Sequence, residues 1–124
     1  MIYIVLNGGA ILAATVAGFA FAALWFRRRV PLGVVITGFV ASAWLCAILA
    51  GALILAPPRG GVWTMTIGSA VVIWAGFVLP VIAASYRFRA LAWRVVAADA
   101  GMWLGMMVVQ AVVLRLIGLV APPG

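Results

Sequence analysis

Asp99 is the only acid in a chain of 124 residues that holds eight arginines, no lysine and no histidine. It lies in an apolar run, Val95 to Val120, where a carboxyl group is expensive and marks either a proton or cation path or a specific partner. The competing partners are arginines: Arg94, Arg89 and the Arg27-Arg28-Arg29 triplet, any of which would pair with Asp99 and steer helix docking. At 100° per residue, Asp99, Met106, Gln110 and Ile117 fall within about 20° of one line, flanked by Met102 and Trp103. One helix face therefore carries both costly polar groups of the run. Asp99, Gln110 and Arg94 form the candidate intramembrane polar site. Arg115 falls nearly opposite and has the length to snorkel to the headgroups.

Other chemistry lacks its parts. Without histidine, an acid pair, a nucleophile–base set or a phosphate loop, no catalytic constellation can be assembled and no enzyme is expected. Cys46 is the sole cysteine, so neither a disulfide nor a zinc or haem site follows, and no metal or cofactor is expected. Met102, Met106 and Met107 offer soft sulfur, but without cysteine or histidine beside them core packing is the better account. Trp44, Trp74 and Trp103 lie away from the interfacial belts and either line a pocket for a lipophilic or quinone-like ligand or face lipid. A net charge of +7 suggests nucleic acid in principle, yet the arginines cluster in turns instead of along a face, and nucleic acid is not an expected partner.

The elements that position these residues are read from hydropathy. The chain is 69% hydrophobic and 7% charged, with a mean hydropathy of +1.38. A soluble domain carries about 25% charged residues, so the solvent here is lipid. Four apolar runs are long enough to span, and they predict helices at approximately 2–26, 31–56, 62–86 and 91–120 within one transmembrane domain, 1–124. The first run is followed by its charges, not preceded by them, unlike a secretory or twin-arginine signal. Pro31 suits the first turn of the second helix. Pro57-Pro58-Arg59-Gly60-Gly61 marks a turn that joins antiparallel neighbours.

Small residues recur every four positions at Ala10, Ala14, Gly18 and Ala22, and again at Gly38, Ser42, Cys46 and Ala50, spacings that let backbones approach closely in lipid. Gly101 and Gly105 form a GxxxG whose glycines lie off the Asp99 line, which suggests one contact within the bundle and another between protomers. Pro80 lies inside the third run. It cannot donate to the carbonyl of Gly76 and crowds that turn, which predicts a kink at Gly76–Pro80 and a hinge or polar pocket beside it. The expectation is thus an all-α, integral membrane four-helix bundle with short turns, antiparallel neighbours and a kinked third helix.

Orientation follows from the arginines. The first and third turns hold Arg27, Arg28, Arg29, Arg87, Arg89 and Arg94, the second only Arg59. Basic loops stay cytoplasmic, so both termini are expected on the non-cytoplasmic side of a bacterial inner membrane.

Leu24-Trp25-Phe26 closing the first helix, Trp74-Ala75-Gly76-Phe77-Val78-Leu79-Pro80, the short loop ending Trp93-Arg94, then Asp99, Gly101 and Trp103-Leu104 together resemble the small bacterial four-helix membrane proteins grouped as domain of unknown function 1761. The likeness covers essentially the whole chain, most specifically residues 70–118. The chain departs from that pattern in its bare Arg27-Arg28-Arg29 turn and in Met102, where a tyrosine is usual. The resemblance implies a helical membrane protein and carries over no catalytic residue. The chain has no glutamate, on which small multidrug transporters depend. The expected role is an oligomer-forming or accessory membrane subunit, with a small transporter or channel using Asp99 and Gln110, or a lipid- or quinone-binding protein, as alternatives. Its expected partners are the lipid bilayer and copies of itself or another membrane protein.

Overall fold

A computed structural model describes residues 2–26, 31–55 and 61–119. The Arg27-Arg28-Arg29 turn, Pro57-Pro58-Arg59-Gly60 and Pro122-Pro123 lie outside the described residues. Every described element is helical: α1 (Ile2–Leu6), α2 (Gly8–Phe26), α3 (Leu32–Leu55), α4 (Val62–Ile73), a π-helical segment (Trp74–Val78), α5 (Leu79–Phe88) and α6 (Trp93–Ile117). Four stretches are long and apolar enough to cross a membrane: Gly8–Trp25, Leu32–Leu55, Val62–Phe88 and Trp93–Ile117.

The boundaries follow local chemistry. The first run is not one helix, because Asn7 forms a turn before Gly8-Gly9, three residues with weak helix propensity. The helical ladder resumes when Ile11 N–H donates to the Asn7 carbonyl at 2.9 Å. The Pro31 carbonyl accepts from Val34 and Val35, so proline sits just ahead of α3, where its missing N–H is no loss. α6 stops at Gly118, short of Val120, because Gly118 takes φ +95, which glycine adopts without steric cost.

α5 runs two residues past Tyr86 and ends in a Schellman motif. Leu91 N–H donates to the Tyr86 carbonyl and Ala90 N–H to the Arg87 carbonyl, both at 3.0 Å. Ala90 holds the left-handed position at φ 59, where glycine is usual. The Arg87 guanidinium donates to the Leu91 carbonyl at 2.7 Å and lies 4.9 Å from the centre of the Trp93 ring. This arginine ties the turn together.

α6 is the centre of the molecule. It touches α2, α3, α4, the π segment and α5, while α3 bridges α2 and α4. The share of buried residues is 39% in the last span and 11% in the third. α2 packs against α6, and its Ala10, Ala14, Gly18 and Ala22 are all buried. Gly18 lies so close that a Cβ there would stand 2.9 Å from Gln110 Cγ and from Met106 Cγ. Gly105 is covered by the Phe21 ring, and a Cβ on Gly101 would find only Trp25, at 4.0 Å. Both glycines of the GxxxG therefore face α2 of the same chain. Met102, Met106 and Met107 are buried in the two apolar clusters.

Candidate functional site

The π segment sets the register of everything beyond it. Pro80 has no N–H to continue the ladder. One turn earlier the chain widens, and Leu79 N–H reaches back five residues to the Trp74 carbonyl. Such a turn inserts one residue into the helix and is common where a helix must re-aim side chains. In an uninterrupted α-helix Trp74 and Tyr86, twelve residues apart, would face about 120° away from each other; one inserted residue brings them within about 20°. Both then address α6.

Trp74 Nε1 donates to the Ala100 carbonyl at 2.8 Å, and the Tyr86 hydroxyl donates to Asp99 Oδ2 at 2.6 Å. The partner of Asp99 is thus a tyrosine on α5. Among the described residues Asp99 makes no ion pair, and Arg89 instead places its guanidinium 5.1 Å from the centre of the Tyr86 ring. The result is a row of Arg89, Tyr86 and Asp99 linking α5 to α6. Arg94 is exposed and takes no part in it. Asp99 itself is half-buried.

Gln110 lies eleven residues along α6, about 16 Å from Asp99 along the axis. It is fully buried, and its Nε2 donates weakly to the Ser42 carbonyl on α3 at 3.4 Å. Its Oε1 has no hydrogen-bond partner among the described residues. Asp99, Gln110 and Arg94 therefore do not converge on one site. Nearby, the Ile11 carbonyl accepts from its own-helix Thr15 hydroxyl at 2.7 Å and from the Cys46 thiol at 3.7 Å, joining α2 to α3. Arg115 is half-buried, and its Nε donates to the Thr66 hydroxyl at 2.9 Å, joining α6 to α4.

Gly76 is exposed, and an added Cβ would meet nothing within 4 Å. The space next to the π segment is an apolar trench of about 370 Å³, lined by Ala41, Leu45, Phe77, Val78, Val81, Ile82 and Trp103. Of the three deep tryptophans, only Trp103 lines it. Trp74 is engaged with Ala100, and Trp44 is 59% exposed. Tyr86 carried no signal in sequence as a partner for Asp99, because the α-helical register points it elsewhere.

By length and composition, four such helices mark an integral membrane protein. No family model matches the chain, and neither a curated protein nor a solved structure matches it.

Proposed function

We propose that the chain is a multi-pass subunit of a bacterial inner membrane, folded as a four-helix bundle with a kinked third helix and assembling with copies of itself or with a partner membrane protein. One observation favours a helix-packing role over a solute path. Four polar groups of α6 are engaged by neighbouring helices of the same chain: Asp99 by Tyr86, the Ala100 carbonyl by Trp74, Gln110 by Ser42 and Arg115 by Thr66. Polar contacts used in this way hold helices together in lipid, where the hydrophobic effect does not. The role is accessory, without catalysis and without a bound cofactor. The six arginines of the first and third turns support placing both termini on the non-cytoplasmic side. Kinship with the domain of unknown function 1761 proteins belongs to the same proposal and is supported by Trp74 to Pro80, Trp93-Arg94, Asp99 and Trp103.

A second reading is a small transporter or channel using Asp99 and Gln110, favoured by Gln110 Oε1, which has no partner among the described residues. Two measurements on the purified chain separate them. The first is particle mass in lipid nanodiscs. The second is labelling of Asp99→Cys, in a Cys46→Ala background, by a membrane-impermeant thiol reagent from each side. An accessory subunit gives a mass above that of one 13.0 kDa chain, or a co-purifying partner, and an unlabelled cysteine. A lone chain whose cysteine labels from the aqueous phase, slowed by a solute, would sink the accessory reading and favour transport.

A further inference from the structure

We infer that the trench beside the π segment holds one acyl chain of a phospholipid with a primary-ammonium headgroup, the head seated on Asp99 and Arg89. The trench exists because α3 touches α2, α4 and α6 but neither the π segment nor α5 among the described residues. Between the diverging helices, Ala41 and Leu45 form one wall, Phe77, Val78, Val81 and Ile82 the other, and Trp103 of α6 completes the lining. Its volume of about 370 Å³ lies within the roughly 300–1,000 Å³ of small-molecule sites. Every lining side chain is apolar, which suits a hydrocarbon chain.

The register of the trench names the headgroup. Ile82 and Tyr86 are four residues apart on one face of α5, and Asp99 and Trp103 four apart on one face of α6. The Tyr86–Asp99 hydrogen bond of 2.6 Å therefore sits one helical turn, about 6 Å, beyond the apolar lining. At this end the Arg89 guanidinium lies 5.1 Å from the centre of the Tyr86 ring.

The rim thus offers an acid and a base side by side. Asp99 is half-buried, gives one carboxyl oxygen to Tyr86 and has no guanidinium paired to it among the described residues. A primary ammonium supplies a cation and N–H donors that no described residue offers Asp99, and Arg89, which is exposed, supplies the counter-charge for the phosphate. A trimethylammonium head has no N–H to donate, and a glycerol head has no cation. This assignment is independent of whether the chain works in an oligomer.

The test is retention of lipid by the purified full chain, equilibrated with equal amounts of dioleoyl phosphatidylethanolamine, phosphatidylcholine and phosphatidylglycerol and read by native mass spectrometry. Wild type is expected to retain one phosphatidylethanolamine about tenfold over either competitor, the scale of one hydrogen bond to a charged group. Asp99→Asn, which keeps an acceptor for Tyr86, should bring that preference to about twofold or less on the same scale. Val81→Trp and Ala41→Phe, both at exposed positions on opposite walls, should each lower retention of all three lipids while circular dichroism stays unchanged. Absence of headgroup preference in wild type would overturn the assignment. So would trench-filled variants that keep the lipid, or that lose a dimer while lipid retention is unaltered, since the trench would then be covered by a second copy.

Discussion

Alanine substitution at three glycines discriminates the α2–α6 packing described above from a GxxxG contact between protomers. At Gly18 the new Cβ stands 2.9 Å from Gln110 Cγ and Met106 Cγ and 3.1 Å from Gln110 Nε2. Both neighbours are buried, at 0% and 2% exposure, and the crowded carbons lie near their own backbones. Relief requires off-rotamer side chains or a shift of α2 from α6, which costs about 1–3 kcal/mol, with the upper half expected for three contacts. At Gly105 the clash is with the tip of the Phe21 ring, the far end of a half-buried side chain that can swing, so about 1 kcal/mol is expected. At Gly101 the nearest atom is Trp25 Cζ2 at 4.0 Å, an ordinary contact, and the change should stay within about 0.5 kcal/mol. Alanine gains little from helix propensity here, because the membrane-inserted reference state keeps its helices. The assay is unfolding of the purified chain by SDS in bicelles, followed by tryptophan fluorescence. A loss of about 2 kcal/mol at Gly18 changes the folded-to-unfolded ratio by about 30-fold. The reasoning fails if Gly18→Ala unfolds with wild type, or if Gly101→Ala costs as much as Gly18→Ala.

The same unfolding assay addresses four more sites. Ala90→Gly should stabilise by about 1 kcal/mol, because φ 59 at the end of α5 is strained for alanine and free for glycine. Tyr86→Phe and Asp99→Leu, combined in a double-mutant cycle, should show a coupling of about 1–2 kcal/mol; additive effects would mean that the 2.6 Å hydrogen bond contributes nothing. Gln110→Met keeps the length of the side chain, removes the unpartnered Oε1 and loses only a 3.4 Å bond, so stability should hold or rise by about 1 kcal/mol. A drop of that size would instead reveal a hydrogen-bond donor at Oε1. Deleting Ala75 removes the one residue that the widened turn absorbs, so a regular α-helix would carry Tyr86 eleven residues after Trp74 and within about 20° of it; Tyr86→Phe should keep its full effect in that background, and loss of the effect would refute the register argument.

Much of the helical layout is legible in the residues themselves. Hydropathy locates the four long apolar stretches, because lipid demands long apolar helices and the arginine and proline turns interrupt them. Breaks inside a run are harder to read. Asn7-Gly8-Gly9 is only mildly unfavourable to helix, so its effect depends on what the flanking turns pack against. Gly118 ends α6 two residues before the apolar run ends, since the stop is set by a backbone angle that hydropathy does not encode. Small-residue spacing marks a close helix contact but does not name the partner. Gly101 and Gly105 turn to Phe21 and Trp25 of their own chain because α2 and α6 approach each other with glycine on both sides.

The polar contacts were legible as needs, not as pairs. Asp99 needs a donor in any register, and six nearby arginines make an ion pair the obvious expectation from sequence distance alone. What decides the outcome is the residue count between Trp74 and Tyr86. Pro80 announces that the ladder must break near Gly76, but proline chemistry permits a kink, a lost hydrogen bond or a widened turn. Only the widened turn rotates α5 so that Trp74 and Tyr86 share a face and reach neighbouring residues of α6. The same rotation leaves Phe77, Val78, Val81 and Ile82 lining an apolar trench one turn from the Tyr86–Asp99 bond. A single inserted residue thus couples the proline break to the acid 19 positions later, a link set by helical phase that composition and spacing do not express.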